Sequence, residues 1–185
     1  AAGEPVDFYV TWDGNLPNYK ELGVLGDLTP LAEKHGLDLE RFDQGALDSI
    51  KAVSDNGQEL YALPYAFNLN ALYYNKDIFD KFGVSYPKDG MTWEDTIELA
   101  KKVTRTDGGT VYRGLEIDAA ARVLFPLSLV SVDAKTDQVL VNSEPYKRAF
   151  ETAYAIFSIP NNEYIDGGSK TWERFYTEKT LAMVA

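Results

Sequence analysis

The sequence predicts an α/β fold. Short apolar runs rich in aromatic residues recur along the chain with strand character, and segments with helical periodicity and visible caps lie between them. Size agrees. A chain of 185 residues, 45% apolar and 25% charged, builds one domain or two small lobes around a real core.

Residues 5–11 (PVDFYVT) read as a buried strand ending at the polar corner Trp12-Asp13-Gly14. Residues 15–26, with Pro17, Gly23 and Gly26, read as loop. A short helix is predicted over 28–34, capped by Asp27 or Thr29 and closed by Gly36. A longer helix, weakened by Gly45, is predicted over 38–53, and Asn56-Gly57 signals a turn. Residues 60–65 (LYALPY) and 71–74 (ALYY) read as strands flanking Ala66-Phe67-Asn68-Leu69-Asn70.

Asn75 is the expected cap of a helix over 76–82 that Gly83 closes, and 86–90 is a loop. Thr92 with Asp95 has the pattern of a capping box. Trp93, Ile97, Ala100 and Val103 then mark one face of a helix running to Thr104. Asp107-Gly108-Gly109 turns the chain into a strand near 111–116. Residues 119–130 read as helix that Pro126 kinks or ends, 133–138 as a turn and 139–141 as a short strand.

Ser143 is expected to cap the strongest helix, with an apolar face of Tyr146, Ala149, Phe150, Ala153, Tyr154 and Phe157, stopped by Pro160. A last helix is predicted over 170–178, and 181–185 (LAMVA) reads as a buried strand. A buried strand ordinarily turns and continues, so the sequence reads as cut there.

The charge narrows function. Eighteen basic against 29 acidic residues give a formal charge of −11, which repels phosphate backbones and anionic lipid, so no nucleic-acid partner is expected. With no cysteine, thiolate nucleophiles, zinc-thiolate sites and iron–sulfur clusters drop out. The single histidine, His35, reads as a helix C-terminal cap rather than a catalytic base. No apolar run approaches the roughly 20 residues of a membrane span, and no leader is visible.

Neither G-x-x-x-x-G-K-[ST] nor G-x-G-x-x-G occurs, so nucleotide chemistry loses its support. The acids Asp133 and Asp137 precede no calcium-loop glycine or terminal glutamate, and no metal or cofactor is expected. Carboxylate pairs at 94/95 and 77/80 sit at helix starts, where the dipole favours them; Glu116 and Asp118 flank a strand end.

Aromatics in polar loops are different. A sugar offers an apolar C–H face and a rim of hydroxyls, so its site needs flat rings beside groups that donate and accept. Trp12 with Asp13, and Tyr65 and Phe67 among Asn68 and Asn70, supply that mixture.

Four segments carry a resemblance: Tyr61-Ala62-Leu63-Pro64-Tyr65, Ala71-Leu72-Tyr73-Tyr74-Asn75-Lys76-Asp77-Ile78-Phe79, Gly83 with Thr92-Trp93-Glu94-Asp95, and Leu25-Gly26-Asp27-Leu28-Thr29-Pro30-Leu31. Together they resemble the extracellular solute-binding proteins of ABC transporters, and among them the sugar-binding family that includes maltose-binding protein. Phe175-Tyr176-Thr177-Glu178-Lys179-Thr180-Leu181-Ala182-Met183 is similar to that family's F-x-x-G-K-x-A-M segment, with Glu178 in place of the glycine.

The resemblance implies a periplasmic-binding-protein-like type II fold, two lobes joined by a hinge, here a fragment. Residues 1–64 are expected to form part of the first lobe and the hinge approach, 65–180 most of the second lobe, and 181–185 the start of the return strand. The implied function is to bind a carbohydrate, expected to be an oligosaccharide, in an interlobe cleft and deliver it to a membrane permease.

Carried over residue by residue, Trp12 and Asp13 match the first cleft loop. Asn68 matches a hinge position that bonds ligand hydroxyls, with Tyr65 and Asn70 beside it. Asp118, Arg122 and Phe125 match the second lobe's cleft edge. Trp172 either reaches the cleft or packs as a helix aromatic. No catalytic residue is implied. The expected location is extracellular or periplasmic, with membrane contact only through a lipid anchor on the parent protein. Sheet edges and apolar helix faces left uncovered would favour self-association.

Two other readings stand beside this one. A glycoside hydrolase using a carboxylate pair predicts turnover. A non-transport interaction module of the same fold predicts a protein partner and an empty cleft.

Overall fold

The structure, a computed structural model, describes residues 7–117, 119–133, 136–165 and 169–185. The chain divides into two compact units, Ala1–Asn68 and Leu69–Ala185. Among the described residues no helix is long and apolar enough to cross a membrane.

Unit one is built from short helices: α1 (Leu16–Glu21), α2 (Thr29–Lys34) and α3 (Gln44–Lys51). Leu16 of α1 and Leu47 and Ile50 of α3 are buried with Leu60 as a small core. Asp27 organises the start of α2. Its Oδ1 accepts the Thr29 amide at 2.9 Å, the Thr29 hydroxyl at 2.7 Å and the Leu60 amide at 3.0 Å, while the Leu28 amide donates to the Leu60 carbonyl at 2.8 Å. One carboxylate thus caps a helix and ties it to a segment more than thirty residues away.

The helix expected over 38–53 is two pieces. A 3-10 turn, Leu39–Arg41, ends at extended Phe42, and Asp43 restarts the chain by accepting the Ala46 amide. Asp43 competes for the backbone and wins a cap, which a continuous helix would forbid.

The strands expected over 5–11 and 60–65 are absent from the described residues, and 7–11 is largely exposed, with Phe8 at 78% and Val10 at 65%. Apolar alternation marks a strand only when a neighbour satisfies its N–H and C=O groups. Among the described residues of unit one there is no strand to do so.

Unit two holds a mixed sheet with helices packed on it. β1 (Tyr73–Tyr74) pairs antiparallel with β4 (Met183–Val184), Tyr73 opposite Val184 and Tyr74 opposite Met183. On the other side of β4, parallel bridges join Arg113 to Leu181 and Glu116 to Val184. Residues 181–184 are therefore the central strand, fully buried, as their unbroken apolar run predicts.

Caps delimit the flanking helices where expected. Asn75 accepts the Asp77 amide to open α4 (Lys76–Phe82), and Gly83 closes it with φ +64°. Thr92 and Asp95 form a reciprocal capping box on α5 (Trp93–Val103). The hairpin β2 (Arg105–Asp107) to β3 (Thr110–Tyr112) turns through Gly108 and Gly109, both at positive φ.

Gly114 serves a packing need. A Cβ there would lie 2.4 Å from the Ala100 carbonyl oxygen, so its absence lets the strand rest against α5. The core joins Ile78, Phe79, Ile97, Ala100, Val103 and Leu115 with Val123, Ala149 and Ile156.

The sequence expectations are corrected at several points. The helix over 119–130 shortens to α6 (Ala121–Leu124) and a 3-10 turn, Phe125–Leu127, because Pro126 cannot continue an α-helical ladder. The strand expected at 139–141 is a single bridge, Val132 to Val139. Residues 134 and 135 of the expected turn lie outside the described residues.

Ser143 precedes α7 (Glu144–Phe157) without a side-chain cap bond; Pro145, at the second helical position, lacks one of the two N–H groups such a cap can serve. The buried stripe of α7 is narrower than its apolar pattern. Tyr146, Ala149, Ala153 and Ile156 are buried, whereas Phe150 and Tyr154 are exposed. The last helix starts at Thr171 and continues as a π turn, Glu173–Thr177.

Candidate ligand-binding surfaces

In unit one, Trp12 is extended and leads into a 3-10 turn, Asp13–Asn15. Its indole folds back over Gly14, where a Cβ would come within 2.6 Å of the ring. A larger residue there would push the ring aside. The indole remains 64% exposed. Asp13 is aimed by two bonds: the Gly14 amide donates to Oδ1 at 2.9 Å and the Ser49 hydroxyl to Oδ2 at 3.2 Å.

Tyr65 and Asn68, also predicted contacts, are exposed. Tyr65 lines a hollow of about 560 Å³ in the same unit, together with Tyr9, Val24, Leu63 and Tyr61. The Tyr61 hydroxyl donates to Glu59, and that bond, with burial and nearby carboxylates, pushes its pKa up to about 12. Tyr61 stays a neutral donor at physiological pH.

In unit two, the structure joins two predicted residues. Arg122 Nη1 donates to Asn70 Oδ1 at 2.6 Å. Both line a hollow of about 460 Å³ whose walls include Leu72, Tyr74, Trp93 and Pro126. Phe125 stands beside this rim on the surface, 65% exposed. Asp118 lies outside the described residues.

Strand alternation splits the next residues between two faces. Leu72 and Tyr74 pack on the core, while Tyr73 meets Trp172 edge-on, ring centroids 5.9 Å apart. Trp172 in turn stacks on Tyr176, 5.5 Å apart and 16° from parallel. Trp172 is 42% and Tyr176 62% exposed, so the ring left open by the sequence both packs and presents a surface. Tyr73 and Tyr176 are the members sequence reasoning missed. The four-residue spacing of Trp172 and Tyr176, one helical turn, was the available signal.

Beneath that stack lies a buried polar cluster, also missed. Glu116, 3% exposed, accepts Arg174 Nε on Oε1 at 2.9 Å, Arg174 Nη2 on Oε2 at 2.7 Å and the Thr171 hydroxyl on Oε2 at 2.7 Å. Arg113 Nε donates to the same Oε1, and the rest of its guanidinium reaches the carbonyls of Asn161 and Glu163. Asn162 completes the scaffold by bonding the backbone at 114, 115 and 156. Glu116 is thus part of the frame, sealed from any ligand. Among the described residues no three His, Cys, Asp or Glu side chains gather as a metal site.

The family model of the bacterial extracellular solute-binding proteins matches residues 1–185. The sn-glycerol-3-phosphate-binding periplasmic protein UgpB of Agrobacterium fabrum is 32% identical over 89 residues, 47% of this chain and 20% of that protein. The fold is shared with the ABC substrate-binding protein Lmo0181 of Listeria monocytogenes, solved in complex with cycloalternan. That similarity has a TM-score of 0.70 at 22% identity and covers 92% of this chain and 44% of that one. A sugar transporter of Rhizobium etli, in an open conformation, is similar with a TM-score of 0.61 at 22% identity over 91% of this chain and 42% of its own. The chain therefore spans a fifth of the curated relative and less than half of the two structures.

Proposed function

The chain belongs to the bacterial extracellular solute-binding proteins, and from that membership we propose that it is part of a carbohydrate receptor serving an ABC importer. The first lobe and hinge approach are assigned to about residues 1–64 and the second lobe to about 65–180; the division into units at Asn68 and Leu69 lies close to that boundary. Met183–Val184, in the segment 181–185 expected to begin the return to the first lobe, pairs with Tyr73–Tyr74 in the second unit. Each carries its own aromatic and polar ligand contacts.

One observation carries the reading: Trp172 and Tyr176 form a parallel, solvent-open stack on a buried polar frame. A pyranose has an apolar face that such a ring can cover, and an oligosaccharide has several. Trp12, Tyr65 and Phe125, each more than half exposed, are assigned as further ring contacts. Asp13, Asn68, Asn70 and Arg122 are assigned to hydroxyls. Burying hydroxyls demands that each find a partner, and specificity arises there.

A receptor returns its ligand unchanged, so no catalytic role is assigned. The formal charge of −11 favours an uncharged ligand over an anionic one. The permease is the proposed partner, reached outside the cytoplasmic membrane, where the family works.

The test is a titration of the full-length protein with mono- and oligosaccharides, cycloalternan and glycerol 3-phosphate. Tryptophan fluorescence and calorimetry follow binding, and chromatography checks for products. Saturable binding of an intact sugar supports the proposal. Turnover, binding of glycerol 3-phosphate alone, or no binding across the panel overturns it.

A further inference from the structure

We infer that Glu116 is the positioning residue of the exposed Trp172–Tyr176 stack. This rests on the reading of that stack as a sugar platform.

The argument begins with where the carboxylate spends its bonds. Thr171 and Arg174 bracket Trp172 in sequence, and both donate to Glu116. The Arg174 fork is bidentate, which fixes angle as well as distance. Arg113, on the strand that carries Glu116, holds the carboxylate from the other side and anchors the loop at 161–163. The residues this frame restrains are buried, while those it presents, Trp172 and Tyr176, are exposed.

The backbone alone specifies this turn weakly. Residues 173–177 are π-wound: the Glu178 amide donates to the Glu173 carbonyl at 3.0 Å, a five-residue step, and the Thr180 amide closes the end of the turn on the Arg174 carbonyl at 3.0 Å. A π turn is rare and less favourable than an α turn, so it persists where side chains hold it, often at functional sites. An ion cluster as buried as this one gives little net stability over apolar packing of equal volume. What it supplies is one fixed orientation. That suits a platform whose rings must be parallel and immobile before a ligand arrives, because ordering them afterwards would be subtracted from affinity.

The test uses the full-length protein labelled with 5-fluorotryptophan, with the Trp172 signal assigned by its loss in Trp172→Phe. Thr171→Val keeps side-chain shape and leaves the Arg113 and Arg174 pairs with Glu116 in place while removing the hydroxyl bond, and its fold is checked by circular dichroism. Its Trp172 fluorine resonance is expected to shift or broaden while that of Trp93, in the same unit, stays in place. Affinity for the sugar that binds wild type is expected to fall by roughly ten-fold. Thr171→Ser, which keeps the hydroxyl, restores both.

A Thr171→Val protein with an unmoved Trp172 signal overturns the proposal. So does one in which Trp93 moves as far, since that is general loosening, and so does an unmoved affinity beside a moved signal. If no sugar binds wild type, the function proposed above falls and the fluorine spectra still decide whether Glu116 positions the stack.

Discussion

Arg174 grips both oxygens of Glu116, Nε on Oε1 at 2.9 Å and Nη2 on Oε2 at 2.7 Å, with both side chains under a tenth exposed. A buried charge tolerates the loss of its partner badly. Glu116→Ala removes the carboxylate that both buried guanidiniums grip and is expected to cost unit two about 3–5 kcal/mol. Urea unfolding of the full-length protein, read by circular dichroism, measures it. A loss under about 1 kcal/mol, the range of an exposed pair, would show that water reaches the cluster.

Gly114 makes a second demand on the same strand. Its missing Cβ leaves room for the Ala100 carbonyl and the Thr104 hydroxyl, each 2.4 Å from where that atom would sit. The hydroxyl is itself bonded to that carbonyl at 2.8 Å, so neither neighbour can turn away freely. Gly114→Ala is expected to destabilise unit two by about 1–3 kcal/mol, the usual cost of overpacking. Thermal melting with Gly57→Ala as a positive-φ comparison separates the two effects: Gly57 has open space around it and φ +68°, so it reports strain alone.

The sequence was most legible where a local bond decides the outcome. Asn75, Thr92 with Asp95, and Gly83 each delimit a helix through atoms within four residues, and the structure has all three as read. It was least legible where a partner decides. Residues 7–11 and 60–65 have strand composition and no strand beside them among the described residues of unit one. Phe150 and Tyr154 have the periodicity of a core face and are exposed. At the site, Asn70 and Arg122 were foreseen singly; their bond across 52 residues was not. Glu116 was visible as an acid near a strand end, but its hold on Thr171 and Arg174 is a long-range fact.

Acid should loosen unit one through Asp27. Bonds from the Thr29 hydroxyl and then the Thr29 amide, with a lesser one from Leu60, hold its carboxyl below the ordinary 3.8. The unfolded chain therefore binds the proton more tightly. The stabilisation is complete above pH 3.8 and is lost as pH falls through the lower folded value. Urea midpoints of the full-length protein between about pH 5 and pH 2.5 should decline, and less steeply in Asp27→Asn. Equal slopes would mean that Asp27 is not the group responding.

The ring stack gives the sharpest test at the ligand. Covering an aromatic face removes it from water, worth about 1.5–3 kcal/mol when burial is complete. Trp172 and Tyr176 are already partly covered by each other, which reduces what a sugar can add. Trp172→Ala is therefore expected to weaken sugar binding by roughly ten-fold, and Tyr176→Ala by less, since the indole would remain. Tyr154 is 76% exposed on α7 and serves as the control; Tyr154→Ala should leave affinity unchanged. Calorimetric titration of the three variants decides among them. If Tyr154→Ala weakens binding as much as Trp172→Ala, the loss reflects exposed aromatic surface in general, and the stack has no special claim to the ligand.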